Sequence, residues 1–136
     1  MIPFELASTP RVRIATFSGV IGDRELIDAY RILMADPAFD NTLPDLVDLR
    51  PVTRLEVTAN GLRSLIRDFQ MVFRHTSGRR VAIVAAQDAT YGMARMYELL
   101  RGVDPPEQIR VFRDYQVAMD WLSDSAGPNA RSVSEL

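Results

Sequence analysis

The chain has 136 residues, 47% of them apolar and 25% charged, with a net charge of -2, which is material for one ordinary hydrophobic core. Acids and bases are interspersed, so there is no electropositive stripe to grip a phosphate backbone, and nucleic acid is excluded as an expected partner. All 16 basic residues are arginine and cysteine is absent. Phosphate-loop lysines, Schiff-base amines, thiol nucleophiles, disulfides and sulfur-based zinc sites are therefore ruled out together.

Two extended runs between Phe4 and Ser18 flank Ser8-Thr9-Pro10, and the second, Arg11 to Phe17, alternates as a strand does. So short a connection predicts antiparallel pairing. Gly19 and Gly22 interrupt the chain before a helix over Asp23 to Met34, whose Leu26, Ile27, Tyr30, Leu33 and Met34 form one stripe. Asp36-Pro37 ends it. Leu46 to Leu49 reads as a short central strand, followed by a loop through Pro51. Ala59 to Arg74 then carries Leu62, Leu65, Ile66, Phe69, Val72 and Phe73 at helical spacing, and Gly78 marks the exit.

Arg80 to Ala85 is a nearly continuous apolar run, as expected of a strand with both faces covered. A third helix over Tyr91 to Arg101, a strand over Ile109 to Phe112 and a final helix from Asp114 to Ser123, with Asp114 as its cap, complete the order. That order specifies an α/β fold: a mostly parallel four- to five-stranded sheet with one antiparallel N-terminal strand and helices packed upon it. Residues 1–123 are expected to form a single domain and residues 124–136, rich in Ser, Gly and Pro, a flexible C-terminal tail. With no apolar run of spanning length and no charged-then-apolar start, the expectation is a cytoplasmic protein without stable membrane insertion.

Element order, together with Leu46-Val47-Asp48-Leu49-Arg50, Tyr91 to Glu98, and Val111 to Asp114 leading to Trp121-Leu122, resembles the STAS group of domains. The stand-alone SpoIIAA-like branch, similar in fold to CRAL-TRIO lipid-binding domains, is the part of that group it is most like. In anti-sigma-factor antagonists of the group, an Asp-Ser-Ser-Gly-Leu turn after the central strand presents a phosphoacceptor serine at a helix start. Matching Gly61-Leu62 to that turn puts Ala59 at the acceptor position and Thr58 where the aspartate would stand. Alanine accepts no phosphate, so the resemblance implies the fold without the switch. Thr58 is the one residual phosphoacceptor candidate, and as an N-cap it has a complete structural explanation.

Arg50, Thr58, Asn60 and Thr90 fall near the carboxyl ends of parallel strands, where helix N-termini favour anions, and form a candidate ligand-binding set. Pairing of Arg50 with Asp48 is the competing structural explanation. Tyr91, Met93, Met96 and Leu99 give the third helix more apolar circumference than one buried stripe needs. A homodimer contact, a surface for a protein partner and the wall of an apolar pocket all fit that pattern. His75-Thr76-Ser77 lacks the geometry of a nucleophile elbow, and Asp45, Asp48 and Glu56 read as strand flanks and solvated charge rather than a calcium loop. No catalytic residue, metal or cofactor is expected. The leading expectation is a non-enzymatic STAS-like regulatory module acting through protein-protein association. A carrier or sensor for a small apolar, lipid-like or anionic ligand is the alternative.

Overall fold

Strand β1 (Phe4–Ser8) runs antiparallel to β2 (Arg13–Phe17), with Phe4 opposite Phe17 and their rings edge to face at 5.0 Å. A computed structural model describes residues 4–9, 11–35, 43–68, 79–101 and 107–123. Features expected at Asp36-Pro37, over Phe69 to Arg74, at His75-Thr76-Ser77 and Gly78, and in the tail from residue 124 lie outside the described residues. β2 continues in parallel through β4 (Asp45–Asp48), β6 (Arg79–Val84) and β7 (Glu107–Phe112), giving a five-stranded sheet in the order β1-β2-β4-β6-β7.

Each parallel crossover moves one step in the same direction, and crossovers of one hand put their helices on one face. Accordingly α1 (Asp23–Ala35), α2 (Ala59–Asp68) and α3 (Asp88–Arg101) share one core with Phe17, Val81, Ile83 and Ile109. The last helix, α4 (Tyr115–Ser123), follows β7 and covers the opposite face, packing Ala118 and Leu122 on Leu46, Ala82 and Val84. Covering both faces explains why β6 is apolar without alternation. Its Val81 and Ile83 face three helices, while Ala82 and Val84 face one. Side chains such as Leu46 and Leu65, both at 0% exposure, each contribute about 1.5–3 kcal/mol by leaving water.

The segments expected as a glycine interruption and a loop are instead strands. β3 (Gly19–Gly22) and β5 (Val52–Glu56) pair in parallel as a separate two-stranded sheet. These are the neighbouring strands β2 and β4 extended past a bend: Gly19 N–H donates to the Pro51 carbonyl at 3.2 Å, and a bulge follows. The patterns were too short to read, since Gly-Val-Ile-Gly buries only Ile21 and β5 only Val52. Gly19 makes the bend with φ of +72°, a left-handed conformation, and a Cβ there would meet no atom within 4 Å. Gly19→Ala should therefore cost about 1–2 kcal/mol through backbone strain alone. Urea unfolding checks this, and an unchanged midpoint would refute it.

Two buried arginines close the amino-terminal edge of the sheet. Arg13 donates through Nε and Nη2 to both Asp45 oxygens at 2.9 and 3.0 Å, and through Nη1 to the Leu33 carbonyl at 3.2 Å. Arg80 donates to the Trp121 carbonyl at 2.8 Å with its guanidinium 4.9 Å from the indole centroid. Each thereby sets a cation against the negative end of a helix, α1 and α4 respectively. Asp45, expected to be a solvated flank, is 3% exposed because its carboxylate is the counter-ion Arg13 needs to be buried.

Candidate functional site

At the carboxyl edge of the sheet, helix starts are satisfied from within the chain. Gly22 N–H at the start of α1 donates to Glu25 Oε1 at 2.8 Å, half of a capping box. Thr58 caps α2: its Oγ1 accepts the Gly61 N–H at 2.9 Å. The same hydroxyl donates to Asp23 Oδ2 at 2.8 Å, and Thr58 N–H donates to Asp23 Oδ1 at 2.8 Å. Asp23, in the first turn of α1, therefore joins the starts of two helices, where negative charge is favoured twice over. A phosphoryl ester on Thr58 would set a dianion directly against the Asp23 carboxylate. Asp114 caps α4 by accepting the Val117 N–H at 2.9 Å.

The four residues of the candidate ligand-binding set divide between the two faces of the sheet. Arg50 donates through Nε and Nη2 to both Asp48 oxygens at 2.9 Å and lies 4.3 Å from the Tyr115 ring centroid, beside α4. The hydrogen bond to Asp48 raises the Arg50 pKa above its ordinary value, with partial desolvation opposing it. Thr58 and Asn60 are exposed at the start of α2 on the opposite face, and Asn60 Oδ1 accepts from Arg63 at 3.3 Å. Thr90 is 2% exposed and donates to the Gln87 carbonyl at 3.0 Å within the first turn of α3. Among the described residues, no hydrogen bond, ion pair or ring contact joins any two of these four. Asp45, Asp48 and Glu56 likewise stay apart, each paired with a different arginine.

The four α3 residues expected at a surface also diverge. Met93 and Met96 pack against the larger core, Tyr91 lies under the Arg113 guanidinium at 4.2 Å, and Leu99 is 70% exposed.

Between the sheet and α1, α2 and α3 lies an apolar, partly open cavity of about 70 Å³. Its walls include Leu26 and Tyr30 from α1, Leu62 and Leu65 from α2, Met93, Ala94 and Tyr97 from α3, and Val47, Val81 and Ile83 from the sheet. Among the described residues that line it, only Tyr30 and Tyr97 carry a side-chain oxygen or nitrogen. Those two bond to each other: Tyr30 Oη donates to Tyr97 Oη at 2.9 Å, with the rings edge to face at 6.5 Å. Arg101, one turn further along α3, also donates to Tyr97 Oη, at 3.1 Å. Periodicity assigns Tyr30 to a buried stripe but cannot show that its tip meets Tyr97, 67 residues away. The basic residue in the last turn of α3 was the sole legible hint of a polar end.

The fold, three helices over one face of a mostly parallel sheet and a fourth behind it, has a counterpart among solved structures. The chain is similar to an uncharacterised protein of the DUF3478 family with a SpoIIAA-like fold from Shewanella loihica PV-4. The TM-score is 0.55 at 15% sequence identity, covering 88% of this chain and 91% of that one. The fold is SpoIIAA-like. A scan against family models and a search of curated proteins return no match. The SpoIIAA-like domain has, among its described residues, no helix long and apolar enough to cross a membrane.

Proposed function

We propose that this SpoIIAA-like domain is a non-enzymatic cytoplasmic module that binds a small apolar ligand between its sheet and α1, α2 and α3, as a carrier or sensor. The observation that carries the reading is the cavity: a partly open apolar space in which, among the described residues, the only side-chain oxygens are gathered as one bonded pair. Ligand sites combine apolar walls with a few placed polar groups, and this is that combination on a small scale. A dry apolar cavity of about 150 Å³ holds a benzene ring. At about 70 Å³ with an open side, this one suits a short alkyl chain or the leading part of a longer one.

Native mass spectrometry of protein purified from its own host is expected to show a retained small molecule. In an NMR titration, 1-butanol, a short alkyl chain, should shift amides lining the cavity in the parent chain and leave them unmoved in Ala94→Leu, whose larger side chain fills the space. Protein free of any adduct, together with flat 1-butanol titrations of both chains, would defeat the proposal.

Association with a protein partner or a second copy is the other reading. Leu99, 70% exposed on α3, favours it. Against it, the other large exposed apolar residues among those described, Val20, Ile32 and Val117, sit on three different elements rather than extending a patch around Leu99. Light scattering of the parent and Leu99→Glu would separate the two readings: a shared monomer mass removes self-association through this helix.

A further inference from the structure

The five-stranded sheet ends in two strands that, among the described residues, have a neighbour on one side only: β1 at one margin and β7 at the other. An edge strand in this state is a template for further pairing, and a charged side chain commonly guards it. The guards here are Glu5 and Arg110, both exposed and opposite in sign. We infer that the chain associates with further copies of itself head to tail, β1 of one copy pairing antiparallel with β7 of the next and Glu5 lying opposite Arg110. The inference is independent of the cavity and of Leu99.

Direction and face fix the geometry. β7 runs parallel to β2 through β4 and β6, while β1 runs antiparallel to β2, so a second copy in the same orientation presents its β1 antiparallel to β7. Side chains directly opposite each other in such a pair lie on one face. Phe4 packs on the three-helix core, so Glu5, next along the strand, is on the α4 face. Ile109 and Val111 belong to the same three-helix core, which puts Arg110 on the α4 face as well. Its guanidinium lies 5.4 Å from the Phe112 ring centroid and 5.5 Å from that of Trp121. Setting Glu5 opposite Arg110 places Phe4 opposite Val111 and Leu6 opposite Ile109. One register thus matches charge on one face and apolar side chains on the other. Phe4, Leu6 and Val111 are half-buried in the single chain and gain cover from the pairing. Neither Glu5 nor Arg110 forms a hydrogen bond or ion pair among the described residues, so the new pair displaces none. Pairing like edges lacks this match. Two copies of β7 about a twofold axis bring Arg110 against itself or against uncharged Gln108 or Phe112, and two copies of β1 bring Glu5 against itself or Ala7. The contact is therefore heterologous and repeats into an open array instead of closing as a dimer.

Sedimentation velocity of the full chain from about 10 µM to about 1 mM tests this, because so short an overlap gives weak association that grows with concentration without stopping at a dimer. Glu5→Arg and Arg110→Glu should each weaken association by about tenfold or more at low salt. Both side chains are exposed, so urea unfolding of either variant should stay close to that of the parent. Mixing the two variants in equal amounts should restore the parental association, since each supplies the charge that the altered edge of the other requires. A parent that stays monomeric throughout, a species that stops at a dimer, or single variants that associate as the parent does would each overturn the inference. A mixture that remains monomeric overturns it too.

Discussion

Replacing Asp45 by alanine is expected to destabilise the fold by about 3–5 kcal/mol, the largest effect of any single polar substitution in the described structure. The reason is what it leaves behind. Arg13 is 1% exposed, its Nε and Nη2 both donate to Asp45, and the α1 carbonyl of Leu33 takes its Nη1. Without the carboxylate a buried guanidinium loses a two-point ion pair, and a guanidinium does not escape by losing its proton. Removing both partners is a different experiment. Arg13→Met with Asp45→Leu is expected to cost less than Asp45→Ala alone, because desolvation of two ions then disappears along with their attraction. Chemical denaturation of the three chains checks the order, and Asp45→Ala within about 1 kcal/mol of the parent would refute the assignment of this pair as mutually dependent.

The second large effect is a reversal of sign. Glycine within a helix is ordinarily about 0.5–1 kcal/mol worse than alanine, so Gly61→Ala near the start of α2 would be stabilising by propensity alone. Here a Cβ at Gly61 would coincide with the Asp23 carboxylate, which holds Thr58 by two hydrogen bonds of 2.8 Å. Making room means moving that carboxylate and loosening the junction between α1 and α2. Hydrogen bonds to a charged group are each worth about 1.5–3 kcal/mol, and exposure of Thr58 puts these near the low end. Gly61→Ala is therefore expected to lose about 2 kcal/mol in the parent, and to be neutral or stabilising once Asp23→Ala has removed the obstacle. Urea unfolding of the four chains of this cycle measures the coupling, and a coupling near zero would mean that Asp23 moves aside freely.

The strands and helices that follow from periodicity are those with a face to bury. β6 is apolar throughout because helices cover both its sides, and Leu62, Leu65 and Ile66 of α2 keep one stripe against the core. Thr58 is legible as a cap since a hydroxyl three residues before a glycine needs only local geometry, and Arg50 binds Asp48, two residues away. What local patterns miss is long-range. β3 and β5 are each too short to show alternation and pair only because β2 and β4 already lie side by side. Asp45 looks like a solvated flank until Arg13, 32 residues earlier, is set opposite it. The cavity is invisible for the same reason. Its walls read simply as core in sequence, and only the shortfall in volume between three helices and the sheet, with Tyr30 and Tyr97 meeting over it, sets them apart.

The sheet is assembled in chain order, β1-β2-β4-β6-β7, so every strand docks beside one that left the ribosome before it. No central strand waits for the end of the chain to complete it, and growth proceeds from one edge to the other during synthesis. The exposed margin at each stage is the strand most recently made, with its crossover helix arriving next over the same core. The smaller core closes last, when α4 comes down on Leu46, Ala82 and Val84. A chain released before Tyr115 would therefore have the elements of its three-helix layer and its opposite apolar face bare, a natural target for chaperone capture.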